Sequence, residues 1–184
     1  MKSRELLPIE TERLILRKYT DSDIPDIVEY SLHPSISGEV NWKPTEEGVR
    51  NFIDKQSSIQ PEEDPKWLDL AIELKSIHKV IGTIGIGVIS RDHAQGIIGW
   101  GVGADYRRKG YAAEAACAII TFGFIHMHLH KIIARSDAEN VPSWKMMEKI
   151  GMRREAHFRH HRFQKGEWRD KFEYAILKDE WDPK

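Results

Sequence analysis

The sequence predicts an α+β fold in which helices pack on a mixed, mostly antiparallel sheet. Three β-rich runs are separated only by short turns, which is typical of antiparallel neighbours. These runs occupy residues 67–74, 80–89 and 97–104. An alanine-rich helical stretch at 110–128 then leads into another β-rich run at 131–136, which gives the order strand, helix, strand. No linker or internal repeat divides the chain, so we expect a single domain that spans residues 1–184.

Before these strands, the chain carries one short β-rich run and two helical segments. Residues 13–17 predict a strand, and the run Thr20-Asp-Ser-Asp23 supplies N-cap chemistry for a helix that reaches about Leu32. Residues 33–44 indicate a loop. A second helix then begins near Thr45, because apolar residues recur after it at helical spacing.

The last third of the chain predicts a helix followed by a hairpin. Pro142 suits the first turn of a helix that reaches Ile150, and Gly151 suits its C-terminal cap. Residues 153–163 and 168–177 predict the two strands of the hairpin. Three glycines of the 80–89 run resemble a nucleotide-binding loop only superficially, because they lie inside a strand pattern and lead into no helix: Gly82, Gly85 and Gly87.

Composition excludes several classes of protein. The 28 Lys and Arg residues against 29 Asp and Glu residues leave a net charge of −1, so no global basic field favours nucleic acid. The longest uncharged stretch, 115–129, is too short and too rich in histidine to span a bilayer. The charged start shows no signal peptide, so we expect a cytoplasmic protein. The single cysteine, Cys117, excludes an internal disulfide and predicts a small apolar role better than a nucleophile.

The most informative stretch is a basic, glycine-containing turn that joins a predicted strand to the alanine-rich helix. The first turn of a helix has unpaired N–H groups and partial positive charge, and Gly110 lets a ligand approach the backbone closely. Arg107, Arg108 and Lys109 add three cations at the same point. The pattern therefore predicts a phosphate site. A solvated basic loop is the alternative interpretation of the three cations alone.

Several motifs carry a resemblance to a known family. The run Arg107-x-x-Gly110-x-Ala112 resembles the acetyl-CoA pyrophosphate signature of the GNAT acyltransferases. Other motifs are similar to the branch that includes the ribosomal-protein N-terminal acetyltransferases, and the resemblance covers about residues 10 to 178. These motifs are Thr11-Glu-Arg-Leu-Ile-Leu-Arg17, Asn140-x-x-Ser143, Glu148-Lys-Ile-Gly-Met152 and Gly166-x-Trp168-x-Asp170-x-x-x-Tyr174.

The resemblance implies a fold and a cofactor site. It implies helices on both faces of the sheet and a central strand that splays from its neighbour to admit the pantetheine arm of acetyl-CoA. Backbone groups of one strand would pair with that arm: Trp100, Gly101, Val102, Gly103 and Ala104. Amides of the loop would hold the pyrophosphate, with side-chain charge from Arg107: Arg108, Lys109, Gly110, Tyr111 and Ala112. Asn140 would hydrogen-bond the cofactor, or else it caps the helix at Pro142.

Acetyl transfer needs a neutral amine and a leaving thiolate. An α-ammonium has a pKa near about 7.8 and an alkylammonium near about 10.4, so an α-amine is the easier nucleophile at neutral pH. In family relatives a hydroxyl on the helix after the fourth main strand serves the thiolate, and Ser143 occupies that place. The alternative for Ser143 is a local bond to the helix backbone.

The general base and the acceptor site are less defined by the resemblance. Some relatives carry a carboxylate on the penultimate strand, but residues 157–162 are basic here, and His160 is the candidate base on the same predicted strand face as Arg162. A solvated basic strand is the alternative. In the predicted loop, Glu39 would recognise an ammonium group and Trp42 would line a substrate pocket. Glu114 matches a recurrent family position or complements the helix dipole.

These features predict an acetyl-CoA-dependent N-acetyltransferase that moves the acetyl group to a primary amine by direct attack in a ternary complex. The acceptor is a protein N-terminus or a small-molecule amine such as a polyamine, an amino sugar or an antibiotic. A noncatalytic acyl-CoA sensor is the alternative from another class. We expect no metal, no nucleic acid and no membrane partner. Edge strands of the predicted C-terminal hairpin are compatible with a homodimer.

Overall fold

A single twisted sheet forms the centre of the computed structural model, which describes residues 6–32, 45–60, 66–164 and 166–182. Within these residues the sheet has eight strands in the spatial order β1-β2-β3-β4-β5-β6-β8-β7. The strands are β1 (Ile9–Glu10), β2 (Leu14–Arg17), β3 (Leu68–Leu74), β4 (Lys79–Ser90), β5 (Gln95–Val102), β6 (Lys131–Asp137), β7 (Arg153–Gln164) and β8 (Glu167–Leu177).

Four α-helices accompany this sheet in the described part of the chain. They are α1 (Ile24–Ser31), α2 (Glu46–Ser57), α3 (Tyr111–Ile125) and α4 (Val141–Lys149). Thr45 caps α2 by accepting a hydrogen bond from the Gly48 amide, as its residue type predicts. None of the described helices is long and apolar enough to cross a membrane.

The two faces of the sheet bury different helices. On β3, Leu70 and Ile72 belong to the large apolar cluster that includes α3, whereas Ala71 between them belongs to a smaller cluster with α1 and α2. Alternate residues of a strand point to opposite faces, so α3 lies on one face and the α1–α2 pair on the other. This arrangement confirms the α+β fold with helices on both faces.

The middle of the sheet splays, as the family resemblance implies. All neighbouring strands are antiparallel except β5 and β6, which are parallel and joined through α3. Their pairing runs only from Gln95 opposite Lys131 to Ile98 opposite Ala134. Strand β5 continues to Val102, still paired with β4, while β6 continues to Asp137 beside β8. The two strands therefore separate beyond Ile98.

Two predicted boundaries differ from the structure, and one short strand was not predicted. The strand expected over 97–104 ends at Val102, because the Gly103 amide turns to the Ile81 carbonyl and Ala104 enters a 3-10 turn. The alanine-rich helix ends at Ile125 rather than His128, since the Leu129 amide closes the helix end on the Gly123 carbonyl. The short strand β1 carries too few residues to give a sequence pattern.

Candidate functional site

An open strand edge lies where β5 and β6 separate. From Gly99 to Val102, β5 pairs with β4 on one side, and no described strand pairs with its other side. Unpaired N–H and C=O groups of such an edge can bind an extended polar chain as an added strand would. Trp100, Gly101 and Val102 lie along this open edge, and their pairing with the pantetheine arm stays a prediction. Ala104 does not continue the strand, so its backbone cannot extend this edge.

The loop that follows β5 presents free amides beside that edge. Arg108 and Gly110 both have positive φ angles, of 62° and 86°. In the described structure the amides of Arg108, Lys109 and Gly110 donate to no other backbone carbonyl. The first-turn amides of α3 follow directly at Tyr111 and Ala112. Successive N–H groups in this kind of turn form a concave anion site, which the helix dipole strengthens.

Arg107 has a role that its charge alone does not predict. Its Nε atom donates to the Val102 carbonyl at 3.0 Å, so the side chain ties the loop to the end of β5. The Arg107 side chain is exposed. It can therefore brace the loop and still add charge there.

A second brace comes from β2. Arg13 forms an ion pair with Glu114 at 2.6 Å, donates to the Lys109 carbonyl at 3.0 Å and lies over the Tyr111 ring. Thr11 also donates to the Glu114 carboxylate at 2.6 Å. Burial by itself raises the pKa of Glu114, but these hydrogen bonds outweigh it and lower the pKa. Glu114 therefore ties the N-terminal strands to the loop, which the sequence did not indicate.

The start of α4 lies next to the separated end of β6. Asn140 caps α4, and its side chain accepts from the Ser143 amide at 3.3 Å, which is the capping role expected as one of two alternatives. The Ser143 hydroxyl has no hydrogen-bond partner among the described residues and is half-buried. It remains able to donate a proton. The cofactor roles of both side chains stay predictions.

A buried hydroxyl without a hydrogen-bond partner lies in this region, and it bears on whether the region fits the pantetheine arm. Ser136 lies in the part of β6 that has left β5, and its Oγ atom is buried without a hydrogen-bond partner in the described structure. A buried polar group without a partner costs free energy. The amide groups of a pantetheine arm would supply that partner. The open β5 edge, the free loop amides and Ser136 thus fit acetyl-CoA.

The expected base, His160, lies in an irregular part of the C-terminal hairpin. A bulge between Phe158 and Arg162 interrupts the pairing of β7 with β8, and His160 there has a φ angle of 48°. The strand alternation that would place His160 and Arg162 on one face is therefore wrong, because the bulge breaks the period of two. The His160 ring stacks on the Trp168 ring, with 5.9 Å between the ring centroids.

The basic run of β7 is paired with acidic neighbours, which a strand pattern does not reveal. Arg162 forms an ion pair with Asp137 at the end of β6. The His157 ring contacts the Asp170 carboxylate at 2.7 Å. Two hydrogen bonds lower the pKa of Asp170: the larger effect comes from the His160 backbone amide and the smaller from the His157 ring. The run therefore connects the hairpin to the β6–α4 turn and is not simply solvated.

Two predicted acceptor residues, Glu39 and Trp42, lie outside the described residues. Cys117 is half-buried on α3, and burial raises the pKa of its thiol, which disfavours the thiolate. This agrees with an apolar role for that side chain.

A partly buried chain of polar side chains on the α1–α2 face was not predicted from the sequence. The Tyr19 hydroxyl donates to Thr83 at 2.7 Å, and Thr83 donates in turn to the Asp69 carboxylate. The Trp67 indole N–H donates to the same carboxylate at 3.3 Å. Burial raises the pKa of Asp69, although the hydrogen bonds from Thr83 and Trp67 oppose that shift.

Glycines explain the position of the Trp67 ring. A Cβ atom at Gly85 would lie 2.8 Å from the indole Nε1 and closer still to two ring carbons, and one at Gly99 would lie 3.1 Å from Cη2. Gly85 and Gly99 are directly opposite each other on β4 and β5. The pair forms a flat patch on which the indole lies, and this is the structural role of glycines that sequence reasoning left unexplained.

Known proteins share this architecture. The sequence profile of the acetyltransferase (GNAT) domain matches residues 13–153. The chain is 37% identical over 178 residues to the uncharacterized N-acetyltransferase YnaD of Bacillus subtilis, which covers 95% of this chain and 99% of the relative. A crystal structure of a GNAT-family acetyltransferase from Bacillus anthracis has a TM-score of 0.80 at 35% identity, covering 95% of this chain and all of the other.

A shorter match connects the chain to an enzyme whose acceptor is stated in its name. The ribosomal protein uS5-alanine N-acetyltransferase of Escherichia coli is 27% identical over 86 residues, which is 47% of this chain and 44% of that protein. The profile match covers most of the chain, and the YnaD alignment covers nearly all of both sequences. Together with the separated strands and the loop of free amides, these similarities show that the chain is an N-acetyltransferase of the GNAT family.

Proposed function

We propose that the protein transfers the acetyl group of acetyl-CoA to a primary amine by direct attack in a ternary complex. The observation that carries the proposal is the gap between β5 and β6 beyond Ile98, which opens beside the loop of free amides at Arg108–Gly110. The gap suits the pantetheine arm, and the loop suits the pyrophosphate. Acetyl-CoA would supply the activated thioester.

Ser143 is the proposed proton donor to the leaving thiolate. Its hydroxyl has no partner among the described residues, and it stands in the first turn of α4, next to the separated end of β6. A thiol has a pKa of about 8.5, so its thiolate leaves more readily when a donor is at hand. The amine must also lose a proton, because only its neutral form can attack the thioester.

The proposed acceptor is the α-amine of a protein N-terminus. Two arguments support it: an α-ammonium is deprotonated at less cost than an alkylammonium, and one relative is named as a ribosomal protein uS5-alanine N-acetyltransferase. Small-molecule amines form the competing acceptor class.

Release of free thiol from acetyl-CoA with a panel of amines tests the proposal. The panel contains a tripeptide with N-terminal alanine, spermidine and an amino sugar, and mass detection identifies the acetylated product. Tripeptide-dependent release supports the proposal, and release with spermidine alone supports the small-molecule class. Acetyl-CoA binding without release on any amine would overturn the enzymatic proposal in favour of a sensor.

Gly110→Arg tests the assigned pyrophosphate loop, and Gly151→Arg is its matched control. Both glycines have positive φ angles, 86° and 94°, so both variants carry a similar backbone cost of about 1–2 kcal/mol. Only Gly110 lies in the loop; Gly151 follows α4 and has open space around it. We expect loss of CoA binding by calorimetry in the first variant alone. Equal CoA affinity in both would refute the loop assignment.

A further inference from the structure

Asp69 stands level with the gap between β5 and β6, on the α1–α2 face of the sheet. Its register partner on β4 is Gly85, whose partner on β5 is Gly99, the first residue beyond the last β5–β6 pair. Neighbouring strands lie about 4.8 Å apart, so Asp69 is roughly 10 Å from the open strand edge across the sheet. The backbone between them consists of two glycines, and the Trp67 side chain lies over both.

The Trp67 indole crosses this span. Its N–H group donates to Asp69, while its six-membered ring lies over Gly85 and reaches Gly99. One end of the ring therefore contacts the carboxylate and the other end borders the gap. Gly101 on β5 is the register partner of Thr83 on β4. It adds no side chain to the sheet surface beside the Trp67 ring.

We propose that Asp69, with Trp67 as its aromatic wall, forms the subsite that binds the acceptor as a primary ammonium and takes its proton. This inference rests on the proposed function and deepens it. A carboxylate and an aromatic face are the two groups that attract an alkylammonium most directly. Asp69 is half-buried, so a ligand can still reach it.

The hydrogen bonds around Asp69 suit a proton acceptor. Thr83 donates to one carboxylate oxygen and is itself fixed by the Tyr19 hydroxyl. Trp67 donates to the other oxygen through a long bond of 3.3 Å, and the Leu70 backbone and Tyr19 also hydrogen-bond the carboxylate.

The charged surroundings of Asp69 leave it without a neutralising cation in the described structure. The titratable groups that face it are Tyr19 and Tyr30, and burial raises the pKa of both phenols, so they remain neutral. The amide side chain of Gln56 on α2 accepts from the Asp69 backbone. An ammonium would therefore be the missing counter-charge. The raised pKa of Asp69 makes it a stronger base than an exposed carboxylate.

The proton and electron count closes for this arrangement. The acceptor ammonium gives one proton to the Asp69 carboxylate and becomes a neutral amine, which then moves along the Trp67 ring to the gap, because Asp69 is roughly 10 Å from the open strand edge. The lone pair of the amine forms the C–N bond, the C–S bond breaks, and the electron pair leaves on sulfur. The extra proton on nitrogen then passes to the thiolate, with Ser143 as the relay. Asp69 finally releases its proton to water, so the products are the N-acetyl amine, CoA thiol and one proton.

Asp69→Asn tests the subsite, with Asp54→Asn as a control at an exposed carboxylate on α2. With the amine that the panel identifies, we expect kcat of Asp69→Asn to fall about 100-fold or more, which is the usual contribution of a general base. CoA affinity should stay within about twofold, because Asp69 does not touch the loop. A kcat within threefold of wild type would overturn the inference, since ~100-fold is expected.

Trp67→Phe separates a proton-accepting role from a purely structural one. This change keeps an aromatic ring but removes the N–H group that lowers the pKa of Asp69. The acid limb of the kcat profile should therefore move to higher pH, while the alkaline limb stays in place. An acid limb that does not move in Trp67→Phe would show that Asp69 does not set it.

Carbon-13 NMR of the Asp69 carboxyl gives a readout that needs no turnover. Protein labelled at aspartate carboxyl carbons is titrated with butylammonium and, as control, with 1-butanol, which has the same alkyl chain and no charge. We expect butylammonium to lower the titration midpoint of the resonance that disappears in Asp69→Asn. A midpoint insensitive to butylammonium would overturn the subsite. A shifted midpoint without transfer to any amine would instead refute the proposed function alone.

Discussion

Gly85→Ala is expected to destabilise the protein by displacing the Trp67 ring. The new Cβ atom would lie 2.8 Å from Nε1 and closer to two ring carbons, whereas nonbonded carbon atoms normally stay about 3.5–4.0 Å apart. The indole must therefore move by about 1 Å or more. This movement breaks its hydrogen bond to Asp69, which is already 3.3 Å long.

Two contributions give the size of the effect. Overpacking of this kind costs about 1–3 kcal/mol, and the lost hydrogen bond adds about 1 kcal/mol. The free energy of unfolding should thus fall by about 2–4 kcal/mol, which lowers Tm by about 4–16 °C for a chain of this length. Urea unfolding followed by circular dichroism measures the free energy, and calorimetry measures Tm.

The neighbouring glycines provide graded controls. A Cβ atom at Gly99 would lie 3.1 Å from the Trp67 ring, and one at Gly101 would meet only the Thr83 methyl at an ordinary 3.6 Å. The expected order of destabilisation is therefore Gly85→Ala, then Gly99→Ala, then Gly101→Ala. In a Trp67→Leu background the cost of Gly85→Ala should largely vanish. Additive costs in that double variant would refute the reasoning.

Four further variants test other parts of the structure. Arg17→Met should lower the free energy of unfolding by about 3 kcal/mol near neutral pH, because buried Asp23 loses its partner. Burial alone raises the pKa of Asp23, but the hydrogen bonds from Arg17 and its neighbours lower it. The stabilisation by Arg17 is therefore present above about pH 4 and is lost as pH falls through the pKa of Asp23 in the folded protein. Urea unfolding at low pH should show no cost of Arg17→Met, and an equal cost there would contradict the assignment. Arg13→Gln should weaken CoA binding about two- to fivefold by calorimetry, since its ion pair with the loop helix is partly exposed; unchanged affinity would exclude the brace. Ser143→Ala should lower kcat more than tenfold with CoA affinity intact, a general acid being worth ~100-fold or more, and wild-type kcat would remove it as the proton donor. Ser136→Ala should leave Tm of the free protein unchanged or higher, because the buried hydroxyl lacks a partner, yet weaken CoA binding; unaltered binding would place the pantetheine arm elsewhere.

Sequence reasoning reached the fold because its signals are local. The period of two in residues 68–74, the alanine-rich helix and the cap at Thr45 each depend on near neighbours, and the structure contains all three elements. The loop at Arg108–Gly110 was found for the same reason, since strand, glycine and helix follow one another in the chain. Local signals fail at the β7 bulge, where His160 leaves the alternation that its neighbours predict.

The parts of the site that sequence reasoning missed depend on contacts between distant segments. Arg13 meets Glu114 across 101 positions, and Tyr19 meets Thr83 across 64, so no spacing in the chain could reveal either contact. From the sequence alone, Asp69 is an ordinary polar residue in a strand of alternating apolar and polar positions. Its surroundings come from three other segments, which bring Tyr19, Thr83 and the Gln56 amide to it.

Glycine in β4 and β5 gives the most useful correction to sequence reading in this protein. A glycine inside a strand weakens the strand, so its presence calls for a compensating contact. At Gly85 and Gly99 that contact is the Trp67 ring, which their missing side chains admit to the sheet surface. The ring placed in this way borders the gap between β5 and β6, where the proposed acceptor amine would approach the thioester. If the proposed subsite holds the acceptor, sheet stability and acceptor binding depend on the same two positions, and alanine there should reduce both, with turnover and Tm falling in parallel from Gly99→Ala to Gly85→Ala. Variants that lose stability without losing turnover would separate the Trp67 contact from the acceptor path and confine its role to the fold.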